Sequence, residues 1–241
     1  MTGAWLSADV SNIGYKSAFV TIHKNNYGET FMDIAHIQKL GGISLILGSV
    51  LLLIYSVLCP VLLPIDAMVT NFASVVLNPH WIWLCTAAFF GVIFLMFGFM
   101  ATYSRMYSTS GVVGLLGFIM IEIAYILQAC SITWEIFVWP LLASYQQSQF
   151  IFHDGVFEKD TLVMIFGWIA TISIFVGVIL FCIAIIRSKV FPKISGALIF
   201  VGAVLYGVGS FVIVIGAMIG VFILSIGCTI IGLKLIKQDA E

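Results

Sequence analysis

Residues 193–234 read KISGALIFVGAVLYGVGSFVIVIGAMIGVFILSIGCTIIGLK, and no charged side chain stands between the two terminal lysines. A helix crosses about 30 Å of hydrocarbon in roughly 20 residues. This run is therefore too long for one crossing, and it has to fold back. The reversal is expected between Gly207 and Gly220, giving two spans at about Ile194–Val214 and Gly216–Ile236.

The same length test, carried toward the N-terminus, finds four more spans at about Leu40–Leu62, Trp81–Ala101, Gly111–Trp134 and Thr161–Ile186. The expected fold class is an all-α integral membrane protein, a six-transmembrane-helix bundle. Composition agrees, with 62% hydrophobic residues, only 9% charged and a mean hydropathy of +1.17, where soluble domains carry roughly 25% charged residues. A net charge of −1 supplies no global attraction for nucleic acid or acidic substrates.

Lysine and arginine set the expected orientation. Lys16, Lys24 and Lys39 precede the first span, Arg105 follows the second, Arg187, Lys189 and Lys193 lie between the fourth and fifth, and Lys234 and Lys237 follow the sixth. Six crossings put all of these on one face and leave Lys159 opposite, so both termini are expected in the cytoplasm. Trp81, Trp83, Trp134 and Trp139 near one set of ends, and Tyr103 and Tyr107 near the other, have the character of interfacial anchors. The first strongly apolar run begins near residue 40 and exceeds a signal-peptide core in length, so no cleaved secretory leader is expected. Residues 1–31 read as a polar N-terminal tail without helical amphipathicity, and residues 32–241 as the six-span domain.

Cys59, Cys85, Cys130, Cys182 and Cys228 show no CxxC or Cys/His spacing. Cys59, Cys85 and Cys130 fall at similar depth; they read as small apolar packers, and a disulfide among them stays open. "SGVVGLLG" puts Gly111, Gly114 and Gly117 three apart, and Gly216 and Gly220 stand four apart, spacings that let helices approach closely in lipid. The connection from Glu135 to Asp160 alternates apolar and polar clusters around Pro140, which predicts short interfacial helices capping the bundle.

The stretch FGWIATISIFVGVILFCIAIIRSKVFPKISGALIFVGAVLYGVG, Phe166 to Gly209, carries a glycine-bearing fourth span, a turn with Arg187, Ser188 and Pro192, and a small-residue-rich fifth span. In this it resembles the prokaryotic six-span membrane family catalogued as domain of unknown function 4386, over most of residues 32–241. The resemblance implies a shared fold and a prokaryotic cell membrane. That family has no established activity, so no catalytic residue is carried over, and the polar tail before Met32 departs from its pattern.

One carboxylate interrupts the apolar pattern. In GLLGFIMIEIAYILQAC, residues 114–130, Glu122 sits about 11 residues into the third span. A charged residue at a helix centre costs about 2.5–3.5 kcal/mol on insertion scales, so Glu122 is expected to face the bundle, be protonated, or both. Equal depths on the other helices predict a polar layer around it of Tyr55, Tyr125, Thr171, Ser173, Tyr206 and Ser225. Glu122 and Tyr125 share a face at i, i+3.

Three readings compete. The leading expectation is a non-enzymatic component of a membrane complex, with the lipid bilayer and either a membrane-protein partner or further copies of the chain as its partners. The alternative is a proton- or cation-coupled small-solute transporter or channel using Glu122. Against it stand the absence of a second charge inside the spans and of an inverted repeat. An enzyme or cofactor protein comes last: no Ser/His/Asp arrangement, HExxH or phosphate loop is present. His36 falls on the opposite face from His80 and His153, which disfavours a bis-histidine haem. His80, His153, Asp154 and Glu158 read as solvated loop residues rather than a metal site. No cofactor, metal or nucleic acid is expected.

Overall fold

The computed structural model describes residues 34–68, 70–145, 160–212 and 214–237. The N-terminal tail, with Lys16, His23 and Lys24, and the segment holding His153, Asp154, Glu158 and Lys159 lie outside these residues. Among the described residues the chain is helical and has no strand. The helices are α1 (Ile34–Leu62), α2 (Phe72–Val76), α3 (Trp81–Ala143), α4 (Thr161–Ser188), α5 (Lys193–Val212) and α6 (Val214–Ile236), with a 3-10 turn at Ile65–Ala67. By length and composition α1, α3, α4 and α6 are long and apolar enough to cross a membrane.

The 63 residues of α3 would make a straight rod about 95 Å long. Its own contacts show that it is bent double. Tyr103 stacks on Phe118 with ring centroids 4.6 Å apart, Phe99 on Tyr125 at 5.8 Å, and Trp81 on Trp139 at 5.8 Å. These pairs nest around Gly111, whose φ of 58° and ψ of −159° break the helix. Only glycine adopts that backbone without strain, because it has no Cβ to meet the neighbouring carbonyl. Two antiparallel arms result, 81–110 and 112–143.

The expected second and third spans are both longer than the sequence suggests. Residues 102–110 look like a polar connection yet stay helical, because their hydroxyls bond back to their own helix. Thr102 Oγ1 donates to the Gly98 carbonyl at 2.8 Å, Ser104 Oγ to Ala101 at 2.8 Å and Thr109 Oγ1 to Met106 at 3.1 Å. At the other end helix continues from Glu135 through Pro140 to Ala143 as part of α3, so the first part of the expected interfacial connection belongs to that helix, and its remainder, 146–159, lies outside the described residues.

The six long segments close into a ring in the order first arm, α1, α6, α5, α4, second arm. Glycines at the seams draw the backbones together. A methyl group added at Gly42 on α1 would lie 2.7 Å from the Gly232 carbonyl of α6, and one added at Gly117 on the second arm 2.5 Å from the Phe181 nitrogen of α4. Gly220 of α6 packs against the backbone of Tyr206 and Gly202 in α5. α5 and α6 thus run antiparallel, α5 ending at Val212 and α6 beginning at Val214, within the 207–220 interval predicted from the charge-free run. These approaches bring Lys39, Arg105, Arg187, Lys193 and Lys234 to the same end of the ring.

At that end the α4–α5 connection is compact. Lys189 takes a left-handed conformation (φ 57°), Phe191 is buried, and Ser195 Oγ donates to the Pro192 carbonyl at 2.6 Å. Asp160 caps the opposite end of α4, its carboxylate accepting from the Leu162 and Val163 amides at 2.9 and 3.3 Å. Away from the basic end, α2 folds over α1 and α3, burying Phe72, Val75 and Val76 against Trp81 and its neighbours.

Candidate functional site

The ring is not filled. Among the described residues it encloses a cavity of about 360 Å³ to which all six long segments contribute, within the roughly 300–1,000 Å³ of small-molecule pockets. Leu52, Val92, Val178, Val221 and Leu224 form an apolar floor, and Tyr55, Ser56, Gln128, Thr171 and Glu135 bring polar groups to the wall. No lysine or arginine lines it among the described residues.

Glu135 is the one carboxylate in this lining. It stands on the second arm in a stripe with Ala124, Gln128 and Ile132, residues three or four apart that share one helix face. The first arm holds it at two points. Trp81 Nε1 donates to the Glu135 backbone carbonyl at 2.9 Å, and the Cys85 thiol donates to Glu135 Oε2 at 3.8 Å. On α1, Tyr55 lines the cavity one turn before Cys59. All five cysteines are free thiols.

The polar layer expected at equal depth divides. Tyr55, Tyr125, Thr171 and Tyr206 line the cavity; Glu122, Ser173 and Ser225 do not. Ser225 Oγ instead donates to the Ser49 carbonyl at 3.0 Å and the Val221 carbonyl at 2.8 Å, joining α6 to α1. Ser173 is buried one turn from Gly177, which packs on Ile121. Glu122 is half-buried, and its Oε1 is enclosed without a hydrogen-bond partner among the described residues. Depth along a helix was readable from the sequence and rotation about it was not: Glu122 stands about 125° around the second arm from the centre of the cavity-facing stripe at 100° per residue.

Glu135 and Gln128 escape sequence reasoning for different reasons. A third span ending at Trp134 makes Glu135 the first residue of a loop, while Gln128, an uncharged residue inside that span, is not singled out without the direction it faces. The stripe 124, 128, 132, 135 carries the signal once the helix is extended by two turns. Of the four side chains weighed as a metal site only His80 lies in the described residues, where its Nδ1 accepts from Trp83 Nε1 at 3.1 Å.

One wall of the cavity is open. Ile179 of α4 and Phe200 and Tyr206 of α5 line it and are also 40%, 39% and 45% exposed. α4 and α5 approach backbone to side chain and carbonyl near their connection, where a methyl group on Gly196 would come 3.2 Å from the Cys182 carbonyl, whereas at Gly207 the nearest atoms of α4 belong to the Phe175 ring. The opening therefore lies between two apolar helix faces, away from the connection. Comparison with protein-family models, curated proteins and solved structures returned no match.

Proposed function

We propose that this chain is a six-span membrane protein, with both termini cytoplasmic, that binds a small and largely apolar solute inside its helix ring and serves transport or solute sensing without chemical conversion. The observation that carries the reading is the cavity bounded by every long segment. Protein interiors pack to crystal-like density with few voids, so a cavity of small-molecule size lined by all six long segments supports a binding role. This favours the solute-handling reading over an assembly component, with Glu135 rather than Glu122 as its intramembrane carboxylate.

The orientation rests on the positive-inside rule applied to the end that gathers Lys39, Arg105, Arg187, Lys193 and Lys234. Each arm of α3 and each of the remaining long helices then makes one crossing. The resemblance of residues 166–209 to the six-span family supports a prokaryotic cell membrane as the setting.

The test is photolabelling of the full chain in lipid nanodiscs with a diazirine-bearing octanol, followed by peptide mapping. Cavity residues such as Val178 and Leu224 should be labelled saturably, and Val178→Trp, which fills the floor, should suppress this. Labelling of Leu162 and Trp168, 76% and 62% exposed on the outside of α4, should rise linearly with probe and ignore the substitution. Cavity labelling that is no more saturable than that of Leu162, or that survives Val178→Trp, rejects the reading.

A further inference from the structure

The chemistry of the lining narrows the solute. The geometry points to a singly cationic amphiphile, drawn from the bilayer between α4 and α5 and held with its charge at Glu135 and its apolar body over Val92, Val178 and Leu224. This rests on the solute-binding reading above and adds a ligand class and a route to it.

Charge comes first. Glu135 lines the cavity with no basic side chain in that lining among the described residues, and the first arm meets it with the Cys85 thiol at its carboxylate and the Trp81 indole at its backbone carbonyl. A carboxylate in a largely apolar cavity is poorly solvated, so a ligand that brings a positive charge to it gains more there than a neutral one of the same shape. An anionic amphiphile meets the opposite balance. The aromatic rings of Tyr55 and Tyr206, which also line the cavity, suit an alkylated ammonium, whose charge is attracted to ring faces.

Shape and access agree with this choice. The floor is aliphatic and the acid stands toward the Trp81 end, so the cavity is polarised along its length. α2 covers that end by burying Phe72, Val75 and Val76. The opening instead passes Ile179, Phe200 and Tyr206, between helix faces that are otherwise exposed and apolar. A solute reaching that gap has to be dissolved in hydrocarbon, which selects an ammonium carrying an alkyl body over a small hydrated cation.

The experiment compares three diazirine-bearing octyl probes on the full chain in nanodiscs, one ending in trimethylammonium, one in a hydroxyl and one in a carboxylate. Wild-type protein should reach half-maximal cavity labelling at about tenfold lower concentration of the ammonium than of the alcohol, with the carboxylate weakest. Glu135→Gln should bring ammonium and alcohol together while leaving alcohol labelling in place, which also reports that the variant is folded. If that variant fails to fold, the three-probe comparison on wild-type protein decides alone. Equal labelling by ammonium and alcohol overturns the cationic class while leaving the cavity reading standing. Cavity labelling by none of the probes removes both. A narrowing substitution at the gap, Ala203→Trp, should slow ammonium labelling; an unchanged rate overturns the route.

Discussion

Trp81 Nε1 donates to the backbone carbonyl of Glu135 across the α3 hairpin, at 2.9 Å and 54 residues apart in sequence. The same indole stacks on Trp139, one turn beyond Glu135. The start of the first arm thus fixes where the last turns of the second arm stand, and with them the carboxylate that faces the cavity. Trp81→Phe keeps an aromatic ring but deletes the donor. It should lower stability by about 1–2 kcal/mol, from the lost hydrogen bond and weaker stacking, read as a lower melting temperature in detergent. It should also shrink the preference for the ammonium probe. Cys85→Ala deletes a buried thiol and the weak donor to Glu135 Oε2, and should lower stability by about 1 kcal/mol, read as a melting temperature about 2–4 °C below wild type.

Gly111 and Lys189 are the described residues with positive φ, at 58° and 57°. A methyl group at Gly111 would find nothing within 4 Å, so a substitution there reports backbone strain free of crowding. Gly111→Ala should destabilise the hairpin by about 1–3 kcal/mol. Lys189→Gly should leave stability unchanged or raise it by up to about 1 kcal/mol, since glycine relieves the left-handed conformation at some cost in chain entropy. Thermal unfolding of the two variants checks the pair. Equal effects in the same direction would mean that side-chain contacts, and not φ, decide these positions.

Orientation makes a prediction of its own. Asp66, exposed beyond the end of α1, and Lys237, exposed beyond α6, lie at opposite ends of the ring. In a chain whose native cysteines are replaced by alanine, Asp66→Cys should react with an impermeant maleimide added to intact cells. Lys237→Cys should react only after permeabilisation. The reverse pattern inverts the topology, and reaction of both in intact cells removes the assigned crossings.

What the sequence made legible followed from forces that act along the chain. The C-terminal end of α1 and both ends of α4 and α6 could be read within a few residues because charge and hydrocarbon length fix them, whereas α1 begins six residues before the expected Leu40; the α5–α6 reversal could be read because forty uncharged residues, Ile194 to Leu233, are too many for one crossing. Residues 102–110 misled because a Ser/Thr cluster looks like a loop unless the hydroxyls bond to their own helix, as Thr102 and Ser104 do. The site was half legible. Tyr55, Tyr125, Thr171 and Tyr206 reach the cavity, but which way a side chain points around an apolar helix depends on neighbours that lie far off in sequence. Glu122 and Glu135 are separated by that missing angle.

Glu122 supplies the sharpest contrast. Its Oε1 is enclosed without a hydrogen-bond partner among the described residues, away from the cavity. A buried polar atom left unsatisfied costs about 1–3 kcal/mol, whereas an apolar group of similar shape has nothing to satisfy. Glu122→Leu should therefore raise stability by about that amount and leave labelling by the octanol and ammonium probes unchanged, while Glu135→Gln alters ammonium labelling selectively. Melting curves and the probe comparison on both variants separate the two carboxylates. A fall in stability on Glu122→Leu would reveal a partner for that oxygen, and a loss of ammonium labelling would return the intramembrane charge to the third span's midpoint, where the sequence first drew attention to it.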